Sequence, residues 1–373
     1  MKKRVVSVLL AAALSASLFA GCGGSGESTK KEEGAVEETK KESTAVDIND
    51  EEAWKKEPMY GKTLVVGYSG ASCTGACYVA DLVGFYEEEG VDVEVIRNGG
   101  NSTDIMTGLS SGKFVLTENH ISAATVPIAN GIEATMVGTA QTGCQSLYVL
   151  SDSEYKTTKD LIGKNVNVIH GVGSQDHNII LRFMAKDGLA ANDYNFVSTE
   201  ASAVVQGMKN GEIDASLLPD MFAYSFVKDG TLRYIRSITW DDDFKEEPCC
   251  TILMNTKFMK ENPITAKKMA RATAKASAWI DTHIEEATQV MMDNDLVTGD
   301  MEKLSYLHRT YDWTVTNEKC EATLKNIIKD YKELGILKDS LNEEEFFSEL
   351  WYPILSQEEL DEVWTEGEQF VLE

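Results

Sequence analysis

The sequence predicts an α/β protein built as two related lobes with a cleft between them. Two strand-like segments that begin at Gly61 and Gly163 align with each other, and each is followed by a small polar loop and a helical pattern. A second pair of aligned segments begins at Gly108 and Gly207, at a similar distance from the first pair. Alternating strand and helix patterns that occur twice predict two mostly parallel sheets, each flanked by helices.

The N-terminus has the pattern of a secretory signal. A basic start, residues 1–4, precedes an apolar run, 5–20, that is too short to span a membrane and ends in small residues. The segment before Cys22 resembles a bacterial lipobox, although Phe19 stands where leucine is usual. We predict a lipoprotein signal peptide over 1–21 and a lipid on Cys22, which would anchor the protein to the extracytoplasmic face of the cell membrane. A non-lipidated secretory signal is the alternative.

Composition separates a stalk from a folded domain. Residues 22–58 are rich in Glu, Lys, Ser and Thr, and such a segment buries too little apolar surface to offset its ordering entropy. We therefore predict a disordered acidic stalk there and a folded domain over 59–373. The whole chain carries a net charge of −26, which repels nucleic acid and anionic membranes. Nucleic acid is therefore excluded as a partner.

Each lobe is expected to contain the same run of elements. In the first, the strand from Gly61 leads into the loop Ser69–Ser72, and apolar residues at helical spacing follow up to Gly90. In the second, the strand before His170 leads into the loop 171–174 and then into another helical pattern. A strand, a small-residue loop and a helix present backbone N–H groups to a polar or anionic ligand.

Two further strands are expected to connect the lobes. Residues 147–150 predict a strand that leaves lobe one, and 249–254 predict a strand that returns, so the two crossovers would form a hinge. A long helix over 264–294 and an amphipathic helical tail from Leu304 complete the chain. The predicted boundaries are about 59–148 plus 250–373 for lobe one and about 151–240 for lobe two.

Five sequence blocks carry a resemblance to a known family. The blocks, in order, are GFYEEEGVDVE from Gly84, Gly108–Gly112, Thr158–Val168, GMKNGEIDA from Gly207, and Glu261-Asn262-Pro263. Together they resemble the SsuA/THI5-like (NMT1-type) substrate-binding lipoproteins of ABC importers for nitrate, sulfonate, taurine and pyrimidine compounds. The sequence departs from the family at Lys113, where an acidic residue is usual, and at Leu217, where tryptophan is usual.

The resemblance implies a fold and a role. It implies a type II periplasmic-binding-protein-like clamshell that captures a small organic molecule of the sulfonate, pyrimidine or aromatic heterocycle class. Such a protein is not an enzyme, needs no cofactor and works as a monomer that delivers its ligand to the importer's membrane permease subunits.

In a clamshell the ligand lies between loops at the carboxyl ends of the strands of both lobes. The expected ligand-binding residues are Ser69, Gly70, Ser72, Cys73, Asn119, His120, Gln145, His170, Gly171, Gly173, Ser174, Asp220 and Phe222. The glycines are equally compatible with tight turns, the histidines with capping or packing, and Asp220 with a turn. These loops contain no obvious Arg or Lys, and Arg182 is expected to face solvent, which favours an aromatic or heterocyclic ligand over a small inorganic anion.

The cysteines leave alternatives open. Six follow Cys22, and they are compatible with thiols, disulfides or metal ligands, although we assign no metal residue. A metal-binding receptor is the alternative function, because thiolates and imidazoles suit zinc or copper(I). The residues concerned are Cys73, Cys77, Cys144, Cys249, Cys250, His120 and His170. A THI5-like pyrimidine-forming enzyme is less favoured, since a secreted lipoprotein is a poor place for intracellular cofactor synthesis.

Overall fold

A computed structural model describes residues 46–98 and 102–372. The signal peptide and Cys22 lie outside these residues. The strands are β1 Leu64–Tyr68, β2 Val93–Arg97, β3 Leu116–His120, β4 Ala134–Thr142, β5 Gln145–Leu150, β6 Asn165–Asn167, β7 Asn195–Val197, β8 Ala215–Pro219, β9 Leu232–Ser237 and β10 Pro248–Asn255. The helices are α1 Glu51–Trp54, α2 Ala76–Leu82, α3 Phe85–Glu88, α4 Ser102–Ser110, α5 Ile121–Ala129, α6 Gln175–Lys186, α7 Ala201–Lys209, α8 Asp220–Lys228, α9 Thr256–Glu261, α10 Pro263–Thr282, α11 Ile284–Asp293, α12 Met301–His308, α13 Asn317–Glu333, α14 Glu343–Leu350 and α15 Gln357–Gln369.

The strands form two five-stranded sheets with one shared topology. The order is β2-β1-β3-β10-β4 in the first sheet and β7-β6-β8-β5-β9 in the second. In each sheet the first three strands pair in parallel, and the fourth pairs antiparallel with both of its neighbours. Four strands of each sheet therefore run in one direction and one runs against them. The predicted two-lobed α/β fold is confirmed, with sheets that are mixed by one reversed strand.

The reversed strands come from the two crossovers, whose positions differ from the prediction. Only Gly143 and Cys144 separate β4 from β5, and β5 lies wholly in the second sheet. The chain therefore leaves lobe one at 143–144 rather than after residue 148. It returns through residues 238–247, and β10 lies wholly in the first sheet. The alternating pattern of β5 predicts a strand but not the sheet to which the strand belongs.

Residues 46–58 are part of the folded domain, which corrects the predicted extent of the stalk. Trp54 Nε1 donates to Thr265 Oγ1 at 2.9 Å. The Glu57 carboxylate accepts hydrogen bonds from the backbone N–H groups of Ile264 (2.6 Å) and Thr265 (2.9 Å). These donors belong to the first turn of α10, where backbone N–H groups have no partner within the helix. The segment is ordered by capping α10, a tertiary contact that composition does not reveal.

Replacing Glu57 with alanine is expected to lower the free energy of unfolding by about 1–2 kcal/mol, because the N–H groups at the start of α10 lose their acceptor. Urea unfolding followed by circular dichroism measures the change. Glu52→Ala is the control, since Glu52 is exposed and pairs with the nearby Lys55, and its effect should stay below about 0.5 kcal/mol. Equal effects of the two variants would contradict the capping role.

A buried arginine joins lobe two to the C-terminal helices. The Arg182 side chain, on α6, is 6% exposed, which corrects the expectation that it faces solvent. Its Nη1 and Nη2 donate to Glu247 at 2.8 and 3.0 Å, and its Nε donates to Asp330, on α13, at 2.9 Å. Because α13 packs against β4 and β10 of the first sheet, this cluster, which we call the arginine brace, connects the two lobes.

Across the described residues, every helix is too short or too polar to cross a membrane.

Candidate ligand cavity and thiol cluster

A cavity of about 520 Å³ lies at the ends of strands from both sheets. This volume is within the range of small-molecule sites. The lining residues are Ser69, Gly70, Ala71, Ser72, Cys73, Thr74, Arg97, Asn119, His120, Cys144, Gln145, His170, Gln175, Pro219, Met221, Phe222, Cys250, Leu296, Val297, Thr298, Lys303 and Tyr311. The lining is mixed: one part is polar and cationic, and another is aromatic and aliphatic.

Nine of the thirteen expected residues line this cavity. They are Ser69, Gly70, Ser72, Cys73, Asn119, His120, Gln145, His170 and Phe222. Gly173 and Ser174 instead line a second cavity of about 570 Å³, between α4, α5 and the start of α6, which also includes His170. Gly171 and Asp220 line neither cavity.

The loop after β1 forms one wall of the cavity. Gly70 has φ +92°, and a Cβ there would lie 3.0 Å from Arg97 Nε. The left-handed backbone therefore favours glycine at this position, and a Cβ there would also crowd the arginine. Ser69 Oγ hydrogen-bonds Thr74 and accepts from the Ala71 N–H at 3.2 Å. These contacts fix the loop in front of the 3₁₀ turn over Ser72–Thr74.

His120 is the last residue of β3 and the N-cap of α5. Its Nδ1 accepts the backbone N–H of Ser122 at 3.0 Å, so the imidazole caps the helix. The neutral ring must then carry its proton on Nε2. Nε2 is buried and has no hydrogen-bond partner among the described residues. Burial also lowers the pKa of His120, so the residue presents a neutral N–H donor at this end of β3.

His170 is the corresponding histidine of lobe two. Its Nδ1 lies 2.8 Å from Asp176 Oδ2, which also accepts the His170 backbone N–H at 3.1 Å. The hydrogen bond with Asp176 raises the pKa of His170, and the side chain is 52% exposed. His170 therefore offers a donor, cationic when protonated, opposite the buried neutral His120.

Two cations that were not expected from the sequence also line the cavity. Arg97 ends β2 and donates through Nη1 to the Asp295 carbonyl oxygen at 3.0 Å. Lys303, on α12, makes no ion pair with any residue in the described ranges. The inference that the pocket lacks Arg and Lys was therefore wrong. Arg97 lies at the carboxyl end of a strand, where ligand-binding residues of α/β proteins are expected. Applying this expectation to β2 as well would have identified Arg97 from the sequence.

Asp220 lies beneath the cavity wall and holds the two crossovers together. Its carboxylate accepts hydrogen bonds from Ser146 Oγ and Tyr148 OH, both at 2.7 Å, and from the Thr239 hydroxyl. Thr239 Oγ1 in turn accepts the Cys144 N–H at 2.9 Å. Asp220 is 1% exposed, and burial raises its pKa. The expectation of ligand contact is corrected to a structural role at the crossovers.

A group of four cysteines, which we call the thiol cluster, lies at the floor of the cavity: Cys73, Cys144, Cys249 and Cys250. The Cys144 and Cys249 sulfurs are 3.3 Å apart, and those of Cys249 and Cys250 are 3.5 Å apart. The Cys73 thiol lies beside those of Cys144 and Cys250. Hydrogen bonds from the three neighbouring thiols lower the pKa of Cys250. All four residues have free thiols, as do Cys77 and Cys320.

Glu118 is buried next to the thiol cluster. It is 1% exposed, and burial raises the pKa of its carboxyl to about 8. It does not line the cavity, so a ligand does not face its charge.

Comparisons with known proteins agree on one family and one fold. A family model described as NMT1/THI5 like matches residues 73–287. YtlA of Bacillus subtilis (strain 168) is 25% identical over 302 residues, 76% of this chain and 87% of YtlA. The periplasmic aliphatic sulphonate binding protein SsuA from Escherichia coli superimposes with a TM-score of 0.64 at 16% identity, over 78% of this chain and 92% of that chain. The periplasmic nitrate-binding protein NrtA from Synechocystis PCC 6803 gives a TM-score of 0.61 at 15% identity, over 82% and 88%. These structural similarities show a shared fold.

Proposed function

The chain belongs to the NMT1/THI5-like family, and from this premise we propose that it is the solute-binding component of an ABC importer. It is a binding protein rather than an enzyme. In this proposal Cys22 carries a lipid that holds the protein at the outer face of the cell membrane, and the monomer delivers its ligand to the permease subunits. The sulphonate- and nitrate-binding proteins that share its fold support this role.

The single observation that carries the proposal is a cavity lined from both lobes. Residues at the ends of β1, β2 and β3 face residues from the β5, β6 and β8 ends of the second sheet. A ligand in this position contacts both lobes at once, so it binds the closed arrangement more tightly than an open one. Such differential affinity is what shifts a two-lobed protein towards closure.

The lining indicates the chemical class of the ligand. Arg97 and Lys303 supply positive charge, His120 and His170 supply donors, and no carboxylate is among the lining residues of the described chain. Phe222, Tyr311, Leu296 and Val297 supply an aromatic and aliphatic surface. We propose an organic molecule with an aromatic or heterocyclic body and an anionic or acceptor group, such as a sulfonate or a pyrimidine derivative. The two cations offset the repulsion that a chain of net charge −26 exerts on an anion.

Native mass spectrometry of gently purified protein, followed by calorimetric titration with benzenesulfonate, an alkanesulfonate, cytosine and nitrate, tests this class. We expect the aromatic sulfonate or the pyrimidine to bind more tightly than nitrate, which cannot use the apolar surface. Binding of nitrate alone would contradict the proposed class while leaving a transport role intact. Failure of every compound, with no retained ligand in the mass spectrum, would count against the cavity itself.

Arg97→Gln is expected to weaken binding of the anionic ligand about tenfold, because it removes a positive charge from the cavity while keeping a polar side chain. Lys113→Gln is the matched control, since Lys113 is an exposed cation outside the cavity and its loss should change affinity less than twofold. Titration at two salt concentrations checks the electrostatic origin, because the difference between the variants should shrink as salt rises. Equal affinities for Arg97→Gln and wild type would remove Arg97 from the site.

Affinity for an anionic ligand is expected to fall as pH rises above about 6.5. The pKa of His170 is raised by Asp176, so the imidazolium persists above the usual histidine range and is lost as pH passes the raised value. Positive charge at His170 is therefore present at the lower pH and absent at the higher one. His170→Gln should flatten the pH profile between 6 and 8, whereas His177→Gln, on α6 and outside the cavity, should not. A profile unchanged by His170→Gln would contradict this assignment.

A further inference from the structure

The thiol cluster has a chemistry that capture of an organic ligand does not use. We propose that Cys144, Cys249 and Cys250, with Cys73 as a fourth ligand, bind one thiophilic d¹⁰ metal ion, Zn²⁺ or Cu⁺, at the floor of the cavity. Thiolates are the preferred ligands of both ions. This inference does not depend on the proposed transport function, because it rests on the positions of the sulfurs alone.

The backbone brings sulfurs from two separate segments next to each other, and the Cys73 thiol lies beside them. Cys144 lies in the first crossover with φ 106°, a left-handed conformation that a non-glycine residue rarely adopts. Strained residues of this kind are concentrated at functional sites. Cys249 and Cys250 are neighbours in β10, where side chains would ordinarily alternate between faces. Shifts of strand register on both sides of Cys250 disturb that alternation, and the two sulfurs lie 3.5 Å apart.

The spacing of the sulfurs favours a metal over a disulfide. Tetrahedral coordination with zinc–sulfur bonds of about 2.3 Å places the ligand sulfurs roughly 3.8 Å apart. A disulfide requires about 2.05 Å. The observed separations are 3.3 Å for Cys144 and Cys249 and 3.5 Å for Cys249 and Cys250. The sulfurs would have to move apart by a few tenths of an ångström to fit around a tetrahedral zinc ion, but would have to move together by more than an ångström to form a disulfide.

Two neutral donors surround the sulfurs. Gln141 Nε2 donates to Cys249 Sγ at 3.3 Å. His120 has a ligand nitrogen within 4.8 Å of the Cys144 and Cys249 sulfurs. Because its Nδ1 accepts the Ser122 N–H, its buried Nε2–H is a donor rather than a lone pair. We therefore assign His120 to hydrogen bonding with a ligand thiolate instead of metal coordination. Donors of this kind stabilise thiolates and orient them around a metal.

The cluster is reached from the cavity. Cys73, Cys144 and Cys250 line it, whereas Cys249 does not. An ion would therefore enter through the cavity and bind against its floor.

The test uses the mature protein, purified and reduced under nitrogen, with Zn²⁺ and Cu⁺ supplied in separate titrations against competing chelators. We expect one equivalent of at least one ion to bind with submicromolar affinity and to protect three or four thiols from alkylation, as counted by mass spectrometry. Cys144→Ser and Cys249→Ser should each weaken binding at least a hundredfold. Cys77→Ser and Cys320→Ser are matched controls, because both thiols are buried outside the cluster, and they should bind as wild type does. Replacing His120 with glutamine should weaken binding by about tenfold without abolishing it.

Three outcomes would overturn the proposal. The first is less than a tenth of an equivalent of either ion on wild-type protein. The second is unchanged affinity in both cluster variants. The third is a Cys144–Cys249 disulfide in protein purified without reductant that, after reduction, re-forms by oxidation in air even in the presence of excess Zn²⁺. Alkylation of the wild-type protein, with and without metal, tests the proposal even if a cluster variant fails to fold.

Discussion

Replacing Arg182 with methionine is expected to lower the free energy of unfolding by about 3 kcal/mol. The arginine brace buries the guanidinium almost completely, with Asp330 and Glu247 side chains only 15% and 20% exposed. Removing one partner of a buried ion pair leaves the other charges without compensation, and such changes typically cost about 3–5 kcal/mol. We take the lower end because the two carboxylates retain some contact with water. Urea unfolding at neutral pH measures the change.

Lys186→Met is the matched control for the brace. Lys186 is one turn along the same helix, is 44% exposed, and approaches Asp330 only to 3.9 Å. Its replacement should cost less than about 1 kcal/mol. Adding Glu247→Gln and Asp330→Asn to Arg182→Met should restore much of the lost stability, because no buried charge then lacks a partner. If the triple variant were as unstable as the single one, packing rather than charge would explain the effect.

Asp220→Ala is expected to destabilise the protein by about 2–4 kcal/mol and to weaken ligand binding. The substitution leaves the hydroxyls of Ser146, Tyr148 and Thr239 without their acceptor in a buried network. Thr239 also accepts the backbone N–H of Cys144, which lines the cavity. Loss of the Asp220 carboxylate should therefore displace Cys144 and weaken ligand binding.

Asp229→Ala is the control for this prediction. Asp229 follows the other end of α8, is exposed, and accepts local hydrogen bonds from Thr231. It should change stability by no more than about 1 kcal/mol and leave affinity unchanged. Measuring unfolding and titration on the same samples separates the two effects. A destabilised Asp220→Ala variant with wild-type affinity would show that the network supports the fold but not the cavity.

The two-lobed architecture could be predicted because its signals are local. Strand alternation, glycine-containing loops and the repeated order of elements all lie within short windows around Gly61 and Gly163. The same logic found both cavity histidines, because His120 and His170 directly follow strand patterns. The thiol cluster was recognised only as a set of residue types, since nothing in the sequence indicates that Cys144 adopts a left-handed backbone or that the register of β10 shifts.

The remaining features depend on contacts between distant parts of the chain. Arg182 has partners 65 and 148 residues away, so helical periodicity alone could not show that it is buried. Lys303, on α12, and Tyr311, in the loop that follows α12, also line the cavity. Periodicity does not show where this C-terminal segment packs. Asp220 follows a strand, as the other expected ligand-binding residues do. Its carboxylate, however, accepts hydrogen bonds from three surrounding hydroxyls, and sequence position alone does not reveal these partners.

The unequal lengths of the two crossovers have a mechanical consequence. Gly143 and Cys144 can span only about 7 Å even when extended, whereas residues 238–247 form a much longer connection. Rotation of one sheet relative to the other must therefore pivot at the short link, while the long connection is held by Asp220 at Thr239 and by Arg182 at Glu247. A pivot amplifies motion with distance, so a few degrees of torsion at Gly143 would sweep the helices farthest from it through several ångströms. Inserting one residue into the short link would loosen this pivot while leaving the identity of every cavity-lining residue unchanged.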